Sequence, residues 1–191
     1  MVSEQEYQQE TFKDLEFSKE SFQDRVFESC QFNNILFSEC NFAGSRFSDC
    51  IFDRCNLSLS KLSNSTVQSI HFRNSKLVGI DFSKCTTQLF DISFEKCLID
   101  SCNFSALPMN GTSFQDCTIR ECLFGEANLT KALFQDCSLE GSLFHKTKLH
   151  QADFTTAKNY LIDPTNNSVK GAQFSLPEAI SLLRAFNIIL K

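Results

Sequence analysis

The sequence contains no tryptophan, two tyrosines, six glycines and three prolines among its 191 residues. Glycine and proline build the tight turns of hairpins, so their scarcity argues against a sandwich of many short antiparallel strands. No apolar stretch approaches the length of about 18 residues that spans a bilayer, so we expect no membrane segment. The first ten residues are polar and acidic, unlike a secretory signal. These absences predict a cytoplasmic protein.

Basic residues are outnumbered: 18 lysines and arginines stand against 23 aspartates and glutamates, a net charge of −5. Direct binding to nucleic acid or to an anionic membrane is therefore not expected. Residues 1–60 hold 11 acidic and 5 basic residues, whereas residues 61–191 hold 12 and 13. The acidic side chains of the first part either form a partner surface or are merely solvated. The candidate surface is Glu16, Glu20, Asp24, Glu28, Glu39, Asp49 and Asp53.

Phenylalanine, in contrast, is abundant, and 18 of its 21 copies fall on two series with a period of five residues. The first series runs from Tyr7 to Phe82, and the second, displaced by two residues, runs from Leu89 to Phe154. Aliphatic residues fill most of the other series positions. Nine of the ten cysteines lie two residues before a series position, and Cys85 does so if the first series is continued to Thr87. Alternate residues of an extended chain face the same side, so both positions should point inward.

A period of five fits neither a helix nor a flat strand, because a helix drifts out of register and an odd period flips strand faces. It fits a chain that turns a corner every five residues. In the second series Phe alternates with aliphatic residues, so a three-sided coil would stack unlike residues and a six-sided coil would be hollow. Four sides place like residues in columns: Phe94, Phe114, Phe134 and Phe154; Phe104, Phe124 and Phe144; Ile99, Ile119 and Leu139; Met109, Leu129 and Leu149.

Several five-residue units resemble the pentapeptide-repeat family, whose consensus is Ala-Asp/Asn-Leu-X-X. The closest matches are Cys40-Asn41-Phe42, Cys55-Asn56-Leu57, Cys102-Asn103-Phe104, Ala127-Asn128-Leu129 and Ala152-Asp153-Phe154. The resemblance implies an all-β fold, a right-handed quadrilateral β-helix of about 7–8 coils. We expect an N-terminal arm at 1–6, the β-helix at 7–158 with a phase slip at 83–88, and a C-terminal turn, helix and extended end at 159–191.

The C-terminal tail predicts a short helix from about Leu176 to Phe186. Ser175 and Glu178 have the spacing of a capping box, and Pro177 suits a first helical turn. The apolar residues leave little polar face, so we expect the helix to be buried nearly all round. Residues 188–190 look extended. The expected cap and dimer interface consists of Leu176, Ala179, Ile180, Leu182, Leu183 and Phe186.

This tail resembles the topoisomerase-protecting subgroup of the family: the quinolone-resistance proteins Qnr and MfpA, the microcin-immunity protein McbG and the albicidin-resistance protein AlbG. The likeness is closest to AlbG, in Asn159-Tyr160-Leu161-Ile162-Asp163 and in the run from Phe174 to Ala179. The resemblance implies a DNA-mimicking homodimer, joined through its C-terminal helix, that binds DNA gyrase or topoisomerase IV and protects it from a poison. The alternative is an interaction scaffold of the same fold with a non-topoisomerase partner.

Other chemistry has little support. No phosphate-binding loop, dinucleotide fingerprint or zinc-protease motif occurs, so we expect no enzyme, no cofactor and no catalytic residues. The cysteines are expected to be buried packing thiols, although their stacking at twenty-residue intervals also leaves metal or redox use open. The phase slip is either a corner bulge or a recognition loop. As a loop it would present Ser83, Lys84, Thr86, Thr87 and Gln88 to a partner.

Overall fold

Successive coils of the chain pair in parallel with a spacing of twenty residues. Phe12 is in register with Phe32, and Phe32 with Phe52. The same spacing joins Phe114 to Phe134 in the second half. The computed structural model, which describes residues 5–186 and 188, is therefore a right-handed quadrilateral β-helix of about eight turns. The fold class expected from the five-residue period is confirmed.

The strands form three parallel ladders. The first contains β1 (Glu6–Gln8), β3 (Val26–Glu28), β5 (Arg46–Ser48) and β7 (Thr66–Gln68). The second contains β2 (Thr11–Ser18), β4 (Gln31–Ser38), β6 (Ile51–Asp53), β8 (Ile70–Arg73), β10 (Ile92–Glu95), β12 (Ser113–Gln115), β14 (Leu133–Gln135), β15 (Asp153–Phe154) and β16 (Gln173–Phe174). The third contains β9 (Lys76–Val78), β11 (Leu98–Asp100) and β13 (Thr118–Arg120). Two 3-10 helices lie at Phe82–Lys84 and Glu178–Phe186.

The rod has four faces, each identified by its inward residues in the first two coils. Face 1 begins with Tyr7 and Phe27, face 2 with Phe12 and Phe32, face 3 with Phe17 and Phe37, and face 4 with Phe22 and Phe42. Strand pairing on face 2 continues to Phe174, beyond residue 158, where the sequence placed the end of the β-helix.

The core is an aromatic column on face 2. Nine phenylalanine rings, from Phe12 to Phe174, stack with centroids 4.5–5.4 Å apart. Phe82, Phe104 and Phe124 stack in the same way on face 4, at 4.9–5.3 Å. The sequence placed the rings of the second half in these columns, and the structure confirms that arrangement. Rings on neighbouring faces meet edge to face, an arrangement that aromatic quadrupoles favour.

The corners explain why the cysteines are where they are. Nine of the ten cysteines lie at corners where the thiol donates a hydrogen bond to a backbone carbonyl of the preceding coil, and serine does the same at other corners. Cys50 Sγ lies 3.4 Å from the Phe27 carbonyl oxygen, and Ser65 Oγ lies 2.7 Å from that of Phe42. All ten cysteines are free and buried. A thiol fits this position because it is small, apolar and still a weak donor.

Burial raises the pKa of the five thiols before the phase slip and makes them poor nucleophiles. It raises the pKa of Cys50 and of Cys85 to about 12, and that of Cys55 to about 11. Thiolate, not thiol, attacks a disulfide reagent. We therefore expect the native protein to react negligibly with Ellman's reagent at pH 8, and all ten thiols to react in denaturant. Rapid reaction of several thiols in the native protein would contradict the buried corner assignment.

The phase slip lies later in the chain than the sequence indicated. Thr86 still follows the twenty-residue register, because its amide donates to the Ser65 carbonyl at 2.8 Å. Ile92 pairs with Ile70, a spacing of twenty-two. The two extra residues therefore enter between residues 87 and 91. The sequence series placed Leu89 inward, but Leu89 is 61% exposed and Phe90 is buried instead. Leu89 and Phe90 are both apolar, so either one satisfies the five-residue pattern. Only the strand pairing in the structure shows which of them faces inward.

The C-terminal helix also differs from the prediction. It is a 3-10 helix at Glu178–Phe186, and none of its residues is fully buried in the single chain. No capping box forms, because the hydroxyl of Ser175 donates to the Thr155 carbonyl. Strand β16 pairs with β15, which carries Ser175 past Thr155 and draws its side chain away from the helix. The expected extended end at 188–190 lies largely outside the described residues.

The core is least well filled where aliphatic residues replace phenylalanine. Leu57, Leu62 and Val67 line a cavity of about 20 Å³ together with rings of the neighbouring coils. Leu62 lies between Phe42 and Phe82 on face 4. A phenylalanine at position 62 would continue the ring column and occupy this space.

We expect Leu62→Phe to stabilise the protein by about 0.5–2 kcal/mol, the usual gain from filling a cavity. The midpoint of denaturant-induced unfolding measures the change. Leu139→Phe is the matched control, since Leu139 is fully buried but does not line this cavity. It should destabilise the protein by overpacking. Equal effects of the two substitutions would contradict the proposed packing defect.

Candidate partner-binding surfaces

The seven candidate acidic residues are distributed around the rod and do not form a single stripe. Glu28 lies on β3 of face 1, Asp53 on β6 of face 2 and Glu16 on the part of β2 that belongs to face 3. The others are at corners: Glu20, Asp24, Glu39 and Asp49. The structure therefore brings these residues to the same few coils but not to one face.

Most of these carboxylates lack a cationic partner. Glu39 lies 3.8 Å from the Lys19 ammonium, and Asp53 lies 3.1 Å from the Arg54 guanidinium. Within the described residues the other five form no ion pair, and all five are exposed: Glu16, Glu20, Asp24, Glu28 and Asp49. The N-terminal coils thus carry an uncompensated negative potential on several sides.

The candidate loop residues fall into two structural groups. Ser83 and Lys84 belong to the 3-10 helix at Phe82–Lys84, where Lys84 forms an ion pair with Asp81 at 3.1 Å. Thr86 is half-buried and bonded to the preceding coil. The remaining candidates, Thr87 and Gln88, are exposed beside Leu89. The inserted bulge is therefore small and ends in a leucine, which the sequence did not assign to the surface.

The C-terminal helix presents an apolar surface. Leu176, Ile180, Leu183 and Phe186 are exposed, whereas Ala179 and Leu182 are half-buried against the rod. The four exposed side chains form most of the expected dimer interface. In a single chain these apolar side chains face water, which is unfavourable. Another molecule that covered them would remove this unfavourable exposure.

A groove of about 510 Å³ separates this helix from the last coils. Tyr160 and Ser181 line it, and their hydroxyl groups are buried without a hydrogen-bond partner in the described part of the chain. Burial, and then the nearby Glu178 carboxylate, raise the pKa of Tyr160. Sequence reasoning noticed Tyr160 only as part of a resemblance. Its unpaired hydroxyl depends on tertiary contacts that no local pattern encodes.

A further surface was missed from the sequence. Lysines collect on face 1 and its adjoining corners toward the C-terminus: Lys131, Lys146, Lys148 and Lys170. They are scattered in the chain, but the twenty-residue register brings them together. The spacing of these lysines along the sequence predicts that they align. Assigning them to face 1, however, requires the twenty-residue register to be followed across the phase slip.

Metal and membrane features can be described only for residues 5–186 and 188. Among them, no group of three or more His, Cys, Asp and Glu side chains is placed to hold a metal ion. No helix in that part of the chain has the length and apolar character needed to cross a bilayer.

Comparisons with known proteins agree with the architecture. A family model described as a pentapeptide repeat region matches residues 25–90 and 87–160. A trypsin-treated variant of QnrB1, a plasmid-mediated fluoroquinolone resistance protein, has a similar structure, with a TM-score of 0.53 and 21% identity over 97% of this chain and 90% of that one. HetL, a protein involved in heterocyst differentiation regulation from Nostoc sp. strain PCC 7120, matches at a TM-score of 0.42 and 15% identity, over 92% and 90% of the chains. No curated protein sequence matches this chain.

The family match covers well over half of the chain, and the coils it covers are those with the twenty-residue register. Both observations lead to one conclusion: this chain belongs to the pentapeptide-repeat family.

Proposed function

We propose that this protein is a non-enzymatic DNA mimic that binds DNA gyrase, or the related topoisomerase IV, in the cytoplasm. By doing so it protects the enzyme from a topoisomerase poison, as an antibiotic-resistance or self-immunity factor. The observation that carries the proposal is the rigid rod whose first coils expose five carboxylates without ion-pair partners. A surface that binds DNA is basic, so it attracts such a rod through complementary charge.

The charge density shapes the expected mode of binding. B-DNA carries one negative charge per about 1.7 Å of its axis. A coil about 4.8 Å high would need about three negative charges to match that density, whereas the net charge of the whole chain is only −5. We therefore place the contact at the N-terminal coils, where residues 1–60 have a net charge of −6 from 11 acidic and 5 basic residues.

Two rods joined at their C-terminal ends would present both acidic ends outward. The exposed Leu176, Ile180, Leu183 and Phe186 support such a homodimer, because a second copy would remove their apolar surface from water. The resemblance of the tail to AlbG belongs to the same proposal. It suggests an albicidin-type poison as the first to test.

A gyrase supercoiling titration tests the function directly. The protein is added alone and together with a quinolone, an albicidin-type poison or a microcin-type poison. We expect rescue from one class of poison at concentrations that do not inhibit supercoiling. No effect on supercoiling at micromolar protein, with or without poison, would sink the proposal.

Charge-neutralised variants locate the contact. Five substitutions on the N-terminal coils, Glu16→Gln, Glu20→Gln, Asp24→Asn, Glu28→Gln and Asp49→Asn, should raise the protein concentration needed for rescue by about tenfold or more. The matched control neutralises five exposed carboxylates of the other half: Asp116→Asn, Glu121→Gln, Glu126→Gln, Asp136→Asn and Glu140→Gln. The control should rescue like the wild type. Equal loss in both variants would show that net charge, not position, matters.

The distribution of carboxylates over several faces and corners favours one alternative, an interaction scaffold that binds a non-topoisomerase partner. Affinity capture with the wild-type rod and the N-terminal variant distinguishes the two proposals. Recovery of a partner other than a topoisomerase, lost with the N-terminal variant and retained with the control, would favour the scaffold.

A further inference from the structure

Face 1 carries opposite charges at its two ends. Its acidic group lies on the first coils, and Glu6 and Glu28 belong to the paired strands β1 and β3. Its basic group lies on the last coils, where the backbone of Lys148 forms parallel β-bridges with Asn128 and Ser168 of the adjacent coils. All members are exposed. The acidic group is Glu6 and Glu28, with Asp24 and Asp49 on the two adjoining corners; the basic group is Lys148 and Lys170, with Lys146 and Lys131 on those corners.

Both groups lie on the same face in spite of the phase slip. Phe104 stacks on Phe82 of face 4, and Phe94 stacks on Phe72 of face 2. Met109 follows Phe104 and precedes the next face 2 ring, as Phe27 does between the corresponding rings of the first half. Leu129, Leu149 and Val169 continue the column of Met109, so the lysines beside them extend face 1.

The middle of face 1 carries one exposed carboxylate, Asp91, and one exposed apolar residue. Thr66, Gln68 and Asn110 lie on the central coils. Leu89, on the inserted bulge, occupies the fifth of nine coils and is 61% exposed with a positive φ of 61°. Within the described residues, none of the charged members of the two groups forms an ion pair.

We propose that face 1 binds a second copy of this chain, with the two rods side by side and antiparallel. A two-fold axis through the coil of Leu89 turns each acidic coil of one rod onto a basic coil of the other. The matched pairs are Glu6 with Lys170, Glu28 with Lys148, Asp49 with Lys131 and Asp24 with Lys146, each occurring twice.

The symmetry of the charges selects this arrangement. A two-fold interface must be self-complementary, because one surface patch meets a copy of itself. Parallel rods would place acidic coils against acidic coils. In the antiparallel pair Leu89 meets its own copy on the axis. Lys84 lies on the corner nearest the axis, but Asp81 already neutralises it. Arg46 and Glu126 lie on the facing coils of Asp49 and Lys131 and carry opposite charges, whereas Asp91 lies on the coil of the axis, near its own copy.

The interface is narrow, so charge should dominate its stability. Nine coils at about 4.8 Å span only about 40 Å, and one face of the rod is a few residues wide. Such an area is below that of most permanent dimers. We therefore expect weak association that disappears as salt screens the exposed charges. This contact is separate from the end of the rod, where the C-terminal helix lies.

Sedimentation of the full chain carrying Leu183→Glu, which removes the proposed end-to-end contact, isolates the side-by-side contact. We expect self-association at about 20 mM salt that weakens at least tenfold at about 300 mM. One charge variant carries Asp24→Lys, Glu28→Lys and Asp49→Lys. The other carries Lys131→Glu, Lys146→Glu and Lys148→Glu. Each alone should be monomeric, because its two ends repel those of its copy.

The mixture of the two variants gives the decisive result. Antiparallel pairing restores opposite charges at both ends, so the mixture should form a one-to-one heterodimer. Leu89→Glu should weaken association by bringing two carboxylates together on the axis. Reversal of two exposed face 3 residues, Glu16→Lys with Lys158→Glu, is the control and should change nothing. Monomeric parent protein at low salt, or a mixture that stays monomeric, would overturn the inference. Neither result bears on gyrase binding.

Discussion

Replacing Phe114 with alanine should destabilise the rod by about 3–5 kcal/mol, the usual loss for a fully buried aromatic side chain. Phe114 has no exposed surface and lies between the rings of Phe94 and Phe134, at centroid distances of 5.1 and 4.8 Å. The edge of its ring also meets Phe124. A cavity at this point interrupts the face 2 column and leaves the rings of Phe94 and Phe134 with a stacking partner on one side only.

Guanidinium-induced unfolding of the two proteins measures this loss. Phe12→Ala is the informative comparison, because Phe12 is half-buried at the end of the column and stacks on one side only. Its substitution should cost clearly less than that of Phe114. Similar losses at both positions would mean that ring stacking along the column contributes little beyond the burial of each side chain.

Leu183→Glu or Phe186→Glu should convert the proposed end-to-end dimer to a monomer. Both residues are exposed in the single chain, and each would be covered twice in a symmetric interface. Burial of one such side chain contributes about 1.5–3 kcal/mol. Loss of two copies, with two carboxylates added, should weaken the dimer at least a hundredfold.

Sedimentation at about 0.3 M salt, where face 1 association is screened, measures this change without interference. Leu143→Glu is the matched control, since Leu143 is at least as exposed but lies on face 4 and does not line the groove beside the helix. It should leave the dimer intact. A wild-type protein that sediments as a monomer at high concentration would show that the joined-rod proposal is wrong.

The columns could be derived from the sequence because one physical constraint determines them. Phe94, Phe114 and Phe134 can stack only if each coil has twenty residues, and the alternation of Phe with aliphatic residues selects that number. The same period placed all ten cysteines at buried corners. Repetition makes such predictions reliable, since a mistake at one coil would conflict with every other coil.

Prediction was weakest where the repeat stops. Leu89 and Phe90 are both apolar, so the pattern could not decide which one faces inward. Ser175 has the spacing of a helix cap, but strand pairing in the last coil gives it another partner. The bipolar charge of face 1 was available in the spacing but emerged only after the two extra residues of the slip had been located. At each of these places a local feature, such as an insertion or a terminal strand pair, determines the structure. The repeat that constrains the other coils no longer applies there.

The twenty-residue register also constrains how this gene can change in length. A duplication of twenty codons would add one coil and preserve every column, whereas an insertion of five would bring aromatic and aliphatic columns of the second half together. Duplication of whole coils therefore lengthens the rod without disturbing the packing of its core. For the antiparallel pair, however, a coil added to one half displaces Leu89 from the midpoint and misaligns every charge. The length of the two halves should consequently evolve together, with additions on one side matched by additions on the other.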